Sequence, residues 1–182
     1  RSAQLKNLRP YENILPFPLN VNTRLQKLHD GLAHATFLAS AGLNRLGLAE
    51  KITAAMPTEI MLPAIAQGAI GIEIRQGDDA TRQLLSAINH RESAIATDCE
   101  RAFLQALDGS CRTPLAGHAT LDGDTLSFRG HALTLDGVHC FETTRQGPIG
   151  DAARMGSDAG AEVKARGGAL IAGCGRGAAA GA

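Results

Sequence analysis

The sequence has no tryptophan, one tyrosine and five phenylalanines in 182 residues. A core built from it must rest on Leu, Ile, Val and Ala. It has no charge excess, since 18 Lys and Arg balance 18 Asp and Glu. A nucleic-acid binder normally carries a basic surplus, so that class is set aside, while a local basic patch for a small acidic ligand stays open. No apolar run approaches the length that crosses a bilayer, and residues 1–9 are polar and basic, unlike a secretory signal. The four cysteines (Cys99, Cys111, Cys140, Cys174) have no CxxC spacing. A disulfide framework is not expected at this size and density, which points to a reducing, cytoplasmic compartment. The chain begins with Arg1, not Met, inside an expected helix, and reads as a fragment or partial chain.

What is present is ordinary globular material, 44% hydrophobic and 20% charged. Apolar runs at 13–17, 35–39 and 60–62 predict short strands, and 68–74 a strand interrupted by glycine. Between them, residues 20–28 carry Val21, Leu25 and Leu28 at helical spacing, with Asn20 or Asn22 as the cap. Ala41-Gly42 reads as a turn, and 48–56 as a helix stopped by Pro57. Strands alternating with helices indicate α/β architecture. Asp78 and Asp79 open a helix running to about Ile88, and 90–107 is a longer helix that Asp108-Gly109 ends. The pattern then changes to three strands (115–121, 125–133, 138–144), with Asp122-Gly123 and Asp136-Gly137 at the turns. A helix over 149–165 follows, weakened by Gly156 and Gly160. The Gly/Ala-rich residues 173–182 read as a flexible tail.

Few residues carry chemistry on spacing alone. Cys111 lies in Asp108-Gly109-Ser110-Cys111-Arg112-Thr113-Pro114, just past a helix end, where a turn exposes sulfur. Lone cysteines in loops are more often idle than functional. Arg1, Arg24 and Arg45 fall near the ends of α/β elements, where open sheets bind ligands. Arginine there can clamp carboxylates with two parallel hydrogen bonds, although each taken singly is more often a solvated charge. His118, His131 and His139, with Cys140, have no ligand spacing, and strand alternation sends side chains to different faces. No metal site is expected from them. Glu100 and Arg101 read as structural ion-pairing residues. Gly173-Cys174-Gly175-Arg176-Gly177-Ala178 fits G-x-G-x-x-A but lacks the following helix and strand that a dinucleotide site needs.

Several blocks taken together are more specific. Arg1-Ser2-Ala3-Gln4-Leu5 resembles the end of the LRRxxQL segment of the porphobilinogen deaminase (hydroxymethylbilane synthase) family. Asn20-Val21-Asn22-Thr23-Arg24-Leu25, with Lys27-Leu28, is similar to its GNVxTRLxKL. Residues 41–48 are similar to AGLxRLGL, and 62–73 to LPAxGQGAxGIE. Glu100-Arg101-Ala102 followed by Gly109-Ser110-Cys111-Arg112-Thr113-Pro114 resembles ERAxxxxLxGGCxxPxG. The blocks occur in the family's order and at matching spacing, densely over residues 1–117.

The resemblance implies an enzyme that joins four porphobilinogen units head to tail, losing ammonia each time, to give a linear tetrapyrrole in haem biosynthesis. It implies a dipyrromethane cofactor held by a thioether on Cys111, with Arg1, Arg24 and Gln67 contacting it. Arg1, Arg24 and Arg45 would bind the carboxylates of porphobilinogen and the growing polypyrrole. A cytoplasmic monomer is expected, with no nucleic-acid or membrane partner. The implied fold is α/β: a doubly wound, periplasmic-binding-protein-like lobe (1–68), a segment returning to a first domain that is largely absent here (69–86), and a small α+β domain with a three-stranded antiparallel sheet (87–172). No catalytic residue is expected in this chain, because the family's catalytic aspartate sits in that first domain, and the apolar face of Ile70, Ile72 and Ile74 would be left exposed. Four positions depart from the family pattern: Pro18-Leu19 replace Arg-Gly, Ser110 replaces a glycine, and so does Ala66. The alternatives are a non-catalytic remnant or a small-anion binding module.

Overall fold

Alternation of apolar and polar residues between Leu115 and Pro148 makes three strands: β1 (Leu115–Asp122), β2 (Thr125–Leu133) and β3 (Cys140–Pro148). They pair antiparallel in the order β1-β2-β3. Asp122 pairs with Thr125, so Gly123 and Asp124 form a two-residue hairpin turn, with Gly123 at φ 56°. β3 begins at Cys140, two residues later than the sequence predicts, because residues 134–139 close a turn of their own. Thr134 N donates to His139 O at 3.0 Å, and Asp136 Oδ1 accepts from Val138 N at 3.0 Å. In that turn Gly137 has φ 77°, and a Cβ on it would lie 2.6 Å from Ala3 O, so only glycine fits.

The computed structural model describes residues 1–16, 20–108 and 113–172. Arg1–Pro10 and the chain from Met61 onward form one compact unit, and Tyr11–Ile60 the other. The first unit holds α1 (Ser2–Leu8), α4 (Asp79–Ser86), α5 (Arg91–Ala106), the sheet, and α6 (Ala152–Ala172), which breaks its helical backbone at Gly168. Its core is one cluster that includes Cys99, Phe103 and Leu107 of α5 and its C-cap, Leu126, Phe128 and Ala132 of β2, and Met155, Ala159 and Val163 of α6. Phe103 and Phe128 sit with ring centroids 5.1 Å apart, tilted by 58°. In the second unit, α2 (Val21–His29) starts at Asn20, whose side chain accepts from Thr23 N, and α3 (Ser40–Arg45) brings Gly42 against Val21.

Several expectations are corrected. Residues 13–16, 35–39, 60–62 and 68–74 form no strand. A strand exists only when its N–H and C=O groups pair with a neighbour, and among the described residues only β1, β2 and β3 do so. A doubly wound sheet is therefore not seen among the described residues. Ala41-Gly42 lies inside α3 rather than at a turn. The helix expected over 48–56 shrinks to a single 3-10 turn, Ala49–Lys51, ahead of Ile52, Thr53 and Pro57. Gly156 and Gly160 do not merely weaken α6. A Cβ on Gly156 would fall 2.0 Å from Cys99 O, and one on Gly160 would fall 2.6 Å from Ala106 Cβ and 2.8 Å from Phe103 O. The two glycines let α6 cross α5 at backbone contact.

Gly160→Ala is therefore expected to lower stability by about 1–3 kcal/mol through overpacking, despite a gain in helix propensity of about 1 kcal/mol. Urea unfolding followed by far-UV circular dichroism measures this; an unchanged or raised midpoint would show that the crossing is not tight.

Candidate functional site

Glu100 projects from α5 into the interior and is only 5% exposed. A buried carboxylate must be hydrogen-bonded, and this one serves two backbone amides. Oε2 accepts from Ala66 N at 2.6 Å and Oε1 from Ala119 N at 2.9 Å, with His118 Nδ1 at 3.9 Å from Oε1. The role read for Glu100 from the sequence was ion pairing; its main partners are backbone amides, which no spacing reveals.

The bond to Ala66 orders residues 61–67. Ala66 has φ 55°, the left-handed region that favours glycine, and this is a position where the family pattern has glycine. β1 holds the same loop through Gly117 N, which donates to Pro63 O at 3.1 Å. α1 holds it through Gln4, whose side-chain amide is buried and bonded twice to Leu62: Nε2 donates to its carbonyl at 2.9 Å and Oε1 accepts from its N–H at 3.0 Å. At the loop's end Gln67 is exposed, and its Oε1 accepts from an Arg1 guanidinium N–H at 3.0 Å. Three sequence blocks far apart in the chain thus meet at one loop. Of the expected cofactor-contacting residues, the structure brings Arg1 and Gln67 together.

Arg24 and Arg45 belong to the other unit. Arg24 is half-buried on α2 and donates from NH1 to Phe37 O at 3.3 Å. Arg45 is exposed in the last turn of α3. Cys111, Ser110, Pro18-Leu19 and the G-x-G-x-x-A stretch lie outside the described residues. On either side of Cys111 the chain is anchored. Asp108, at φ 48°, pairs with Lys164 of α6, and Pro114 O accepts from Leu133 N at 3.0 Å. The described cysteines are poor nucleophiles. Burial, helped by the neighbouring Glu100 charge, pushes the Cys99 thiol up to about 12, and burial with Glu142 pushes Cys140 up to about 11.

Two helices packed on a three-stranded sheet, with a preceding loop whose exposed Gln67 bonds Arg1 at the start of α1, form an α/β arrangement with a polar edge. Residues 1–83 match the family model described as porphobilinogen deaminase, dipyromethane cofactor binding domain, and residues 94–165 the one described as porphobilinogen deaminase, C-terminal domain. The porphobilinogen deaminase of Paracoccus denitrificans is 50% identical over 166 residues, 91% of this chain and 53% of that protein. Those of Nitrobacter hamburgensis and Nitrobacter winogradskyi are each 47% identical over 168 residues, 92% of this chain and 53% of theirs. The chain belongs to the porphobilinogen deaminase family, and it spans about half the length of these relatives.

Glu100→Gln puts an amide donor against one of two backbone donors and is expected to cost about 2–3 kcal/mol. Ala66→Gly relieves the left-handed strain and is expected to add up to about 1 kcal/mol, reduced by glycine's greater unfolded-state entropy. Thermal unfolding of both variants checks this; opposite signs to these would remove Glu100 and Ala66 as the determinants of the loop.

Proposed function

We propose that this chain is the cofactor-carrying part of a hydroxymethylbilane synthase, the transferase that condenses four porphobilinogen units stepwise, with loss of ammonia, into a linear tetrapyrrole for haem biosynthesis. The observation that carries the reading is the ordered pair of family matches, with Cys111 inside the second. In this reading Cys111 holds a dipyrromethane by a thioether. When bound, that group supplies the primer on which the pyrrole chain grows.

The donor set fits such a ligand. Each pyrrole brings two carboxylates, so elongation gathers negative charge, and arginine stays protonated under that load. Arg1 has five N–H donors, one of which is given to Gln67. That bond aims the guanidinium, and a carboxylate needs only two parallel donors. We assign Arg1, Arg24 and Gln67 to the cofactor, and Arg1, Arg24 and Arg45 to the porphobilinogen and polypyrrole carboxylates. The finer fold reading is retained as part of this proposal. Residues 1–68 contribute to a periplasmic-binding-protein-like lobe, 69–86 return to a first domain bearing the catalytic aspartate, and 87–172 form the C-terminal domain. Ile70 and Ile72, 92% and 56% exposed, support a missing packing partner for the middle segment. No helix among the described residues is long and apolar enough to cross a membrane; a cytoplasmic, monomeric enzyme is our reading.

Intact-mass analysis and peptide mapping of the protein isolated from cells test it. A mass increase of two pyrrole units on the peptide carrying Cys111, abolished by Cys111→Ser, is the expected result. An unmodified Cys111 thiol would favour a non-catalytic remnant or a small-anion binding module, a reading that Pro18-Leu19 in place of an Arg-Gly pair would then support.

A further inference from the structure

Strand pairing brings together residues that their spacing in the sequence keeps apart. In the β2–β3 register His131 lies opposite Glu142, and Leu133 opposite Cys140. Cys140 and Glu142 are two apart on β3 and so share a face. That face is opposite the one on which Phe128 and Ala132 enter the core. His131 Nε2 is 3.5 Å from Glu142 Oε1, and Cys140 Sγ is 3.8 Å from the same oxygen. All three donor atoms lie within 4.8 Å of one another.

We propose that His131, Cys140 and Glu142 form a binding site for one zinc ion, with a fourth position open to water. Zinc holds nitrogen and oxygen at about 2.0–2.2 Å and sulfur at about 2.3 Å in a tetrahedron. Neighbouring donor atoms in such a tetrahedron are about 3.3–3.7 Å apart, by geometry from those bond lengths. Two of the three separations are already near that scale, and the third pair, His131 and Cys140, lies within 4.8 Å and closes by side-chain rotation. The donor set selects the metal: thiolate and imidazole disfavour magnesium and calcium, which take oxygen, and suit zinc. Binding sends the Cys140 thiol proton to solvent and leaves two anionic ligands facing a divalent cation. The two anionic ligands balance the ion's charge against the repulsion of Arg129, whose charge is felt at His131.

The site is also graded in access. The His131 side chain is 14% exposed and that of Glu142 66%. The histidine is set by the strand, and the glutamate closes from the solvent side. The ion would clamp β2 to β3 next to the 134–139 turn, which α1 also holds through Lys6 and Asn7. The role is structural, and the proposal does not rest on the assigned enzyme activity.

The test uses the full, reduced chain after chelator treatment, titrated with Zn²⁺ by calorimetry and with Co²⁺ by absorption. One zinc per chain is expected. Cobalt is expected to give a thiolate-to-metal charge-transfer band with the intense visible bands of a tetrahedral site. Cys140→Ser should abolish the charge-transfer band and weaken zinc by more than the roughly 10–100-fold that losing an outer hydrogen-bond partner of a metal ligand costs. Glu142→Gln, at an exposed position where folding is not at risk, should weaken zinc and remove the rise in Tm that zinc produces. Cys111→Ser and Cys174→Ser should leave the band intact. The proposal is overturned by no saturable binding, by a band that survives Cys140→Ser, or by zinc affinity indifferent to Glu142→Gln. In the first case the trio is a hydrogen-bonded cluster in which the Cys140 thiol donates to Glu142.

Discussion

A single buried carboxylate sets the geometry of the loop that carries Gln67 and, through it, Arg1. Glu100 brings a charge out of water, and the two backbone amides that offset it come from elements far apart in sequence: Ala66 in the 61–67 loop and Ala119 in β1. Charge-assisted bonds of this kind are roughly twice as strong as neutral ones. Losing either partner would leave a buried group unsatisfied. The loop cannot drift from α5 without exposing that cost, and this constraint lets an alanine persist at φ 55°. Gln67 inherits its position from that bend, and Arg1 from Gln67. Gln4 adds an independent tie from α1, so the helix carrying Arg1 is fixed at both ends of the loop.

The second constraint is steric. Gly156 and Gly160, four residues apart on one face of α6, bring its backbone against the carbonyls of Cys99 and Phe103 on α5. Close approach fixes how far the helix pair can slide, and the pair covers the sheet face from which Phe128 and Ala132 project. Lys164, on the same helix, reaches Asp108 at the end of α5. The anchor beside Cys111 therefore depends on the same helix crossing as the core.

The legible parts of the sequence were those with local causes. Helix starts at Asn20, Asp78 and His90 follow from side chains that cap their own backbone three residues on, and Gly123 and Gly137 mark turns because those turns need φ above zero. The antiparallel sheet follows from alternation. Residues 35–39 and 68–74 have strand-like composition, yet composition fixes only what a segment can pair with, and here no partner strand is described. The joining of Gln4 to Leu62, of Glu100 to Ala66, and of His131 to Glu142 was not legible, because each is a long-range contact whose spacing carries no period. Glu142 drew no attention at all: on a strand edge an exposed glutamate looks like any solvated charge until register sets it opposite a histidine.

The distribution of thiols follows the same physics and bears on chemistry. A nucleophilic cysteine needs its thiolate, which burial and neighbouring carboxylates oppose. Cys99 is enclosed beside Glu100, and Cys140 faces Glu142; both are held protonated at neutral pH. The same acidic neighbour has opposite consequences for two chemistries. It suppresses attack on a carbon electrophile, and it supplies a second anionic ligand to a cation. Cys140 is thus unsuited to hold an organic cofactor, and for the proposed zinc the same raised thiol pKa is a cost that coordination has to overcome. Neither described cysteine suits a covalent pyrrole, which is why the proposed attachment falls on Cys111.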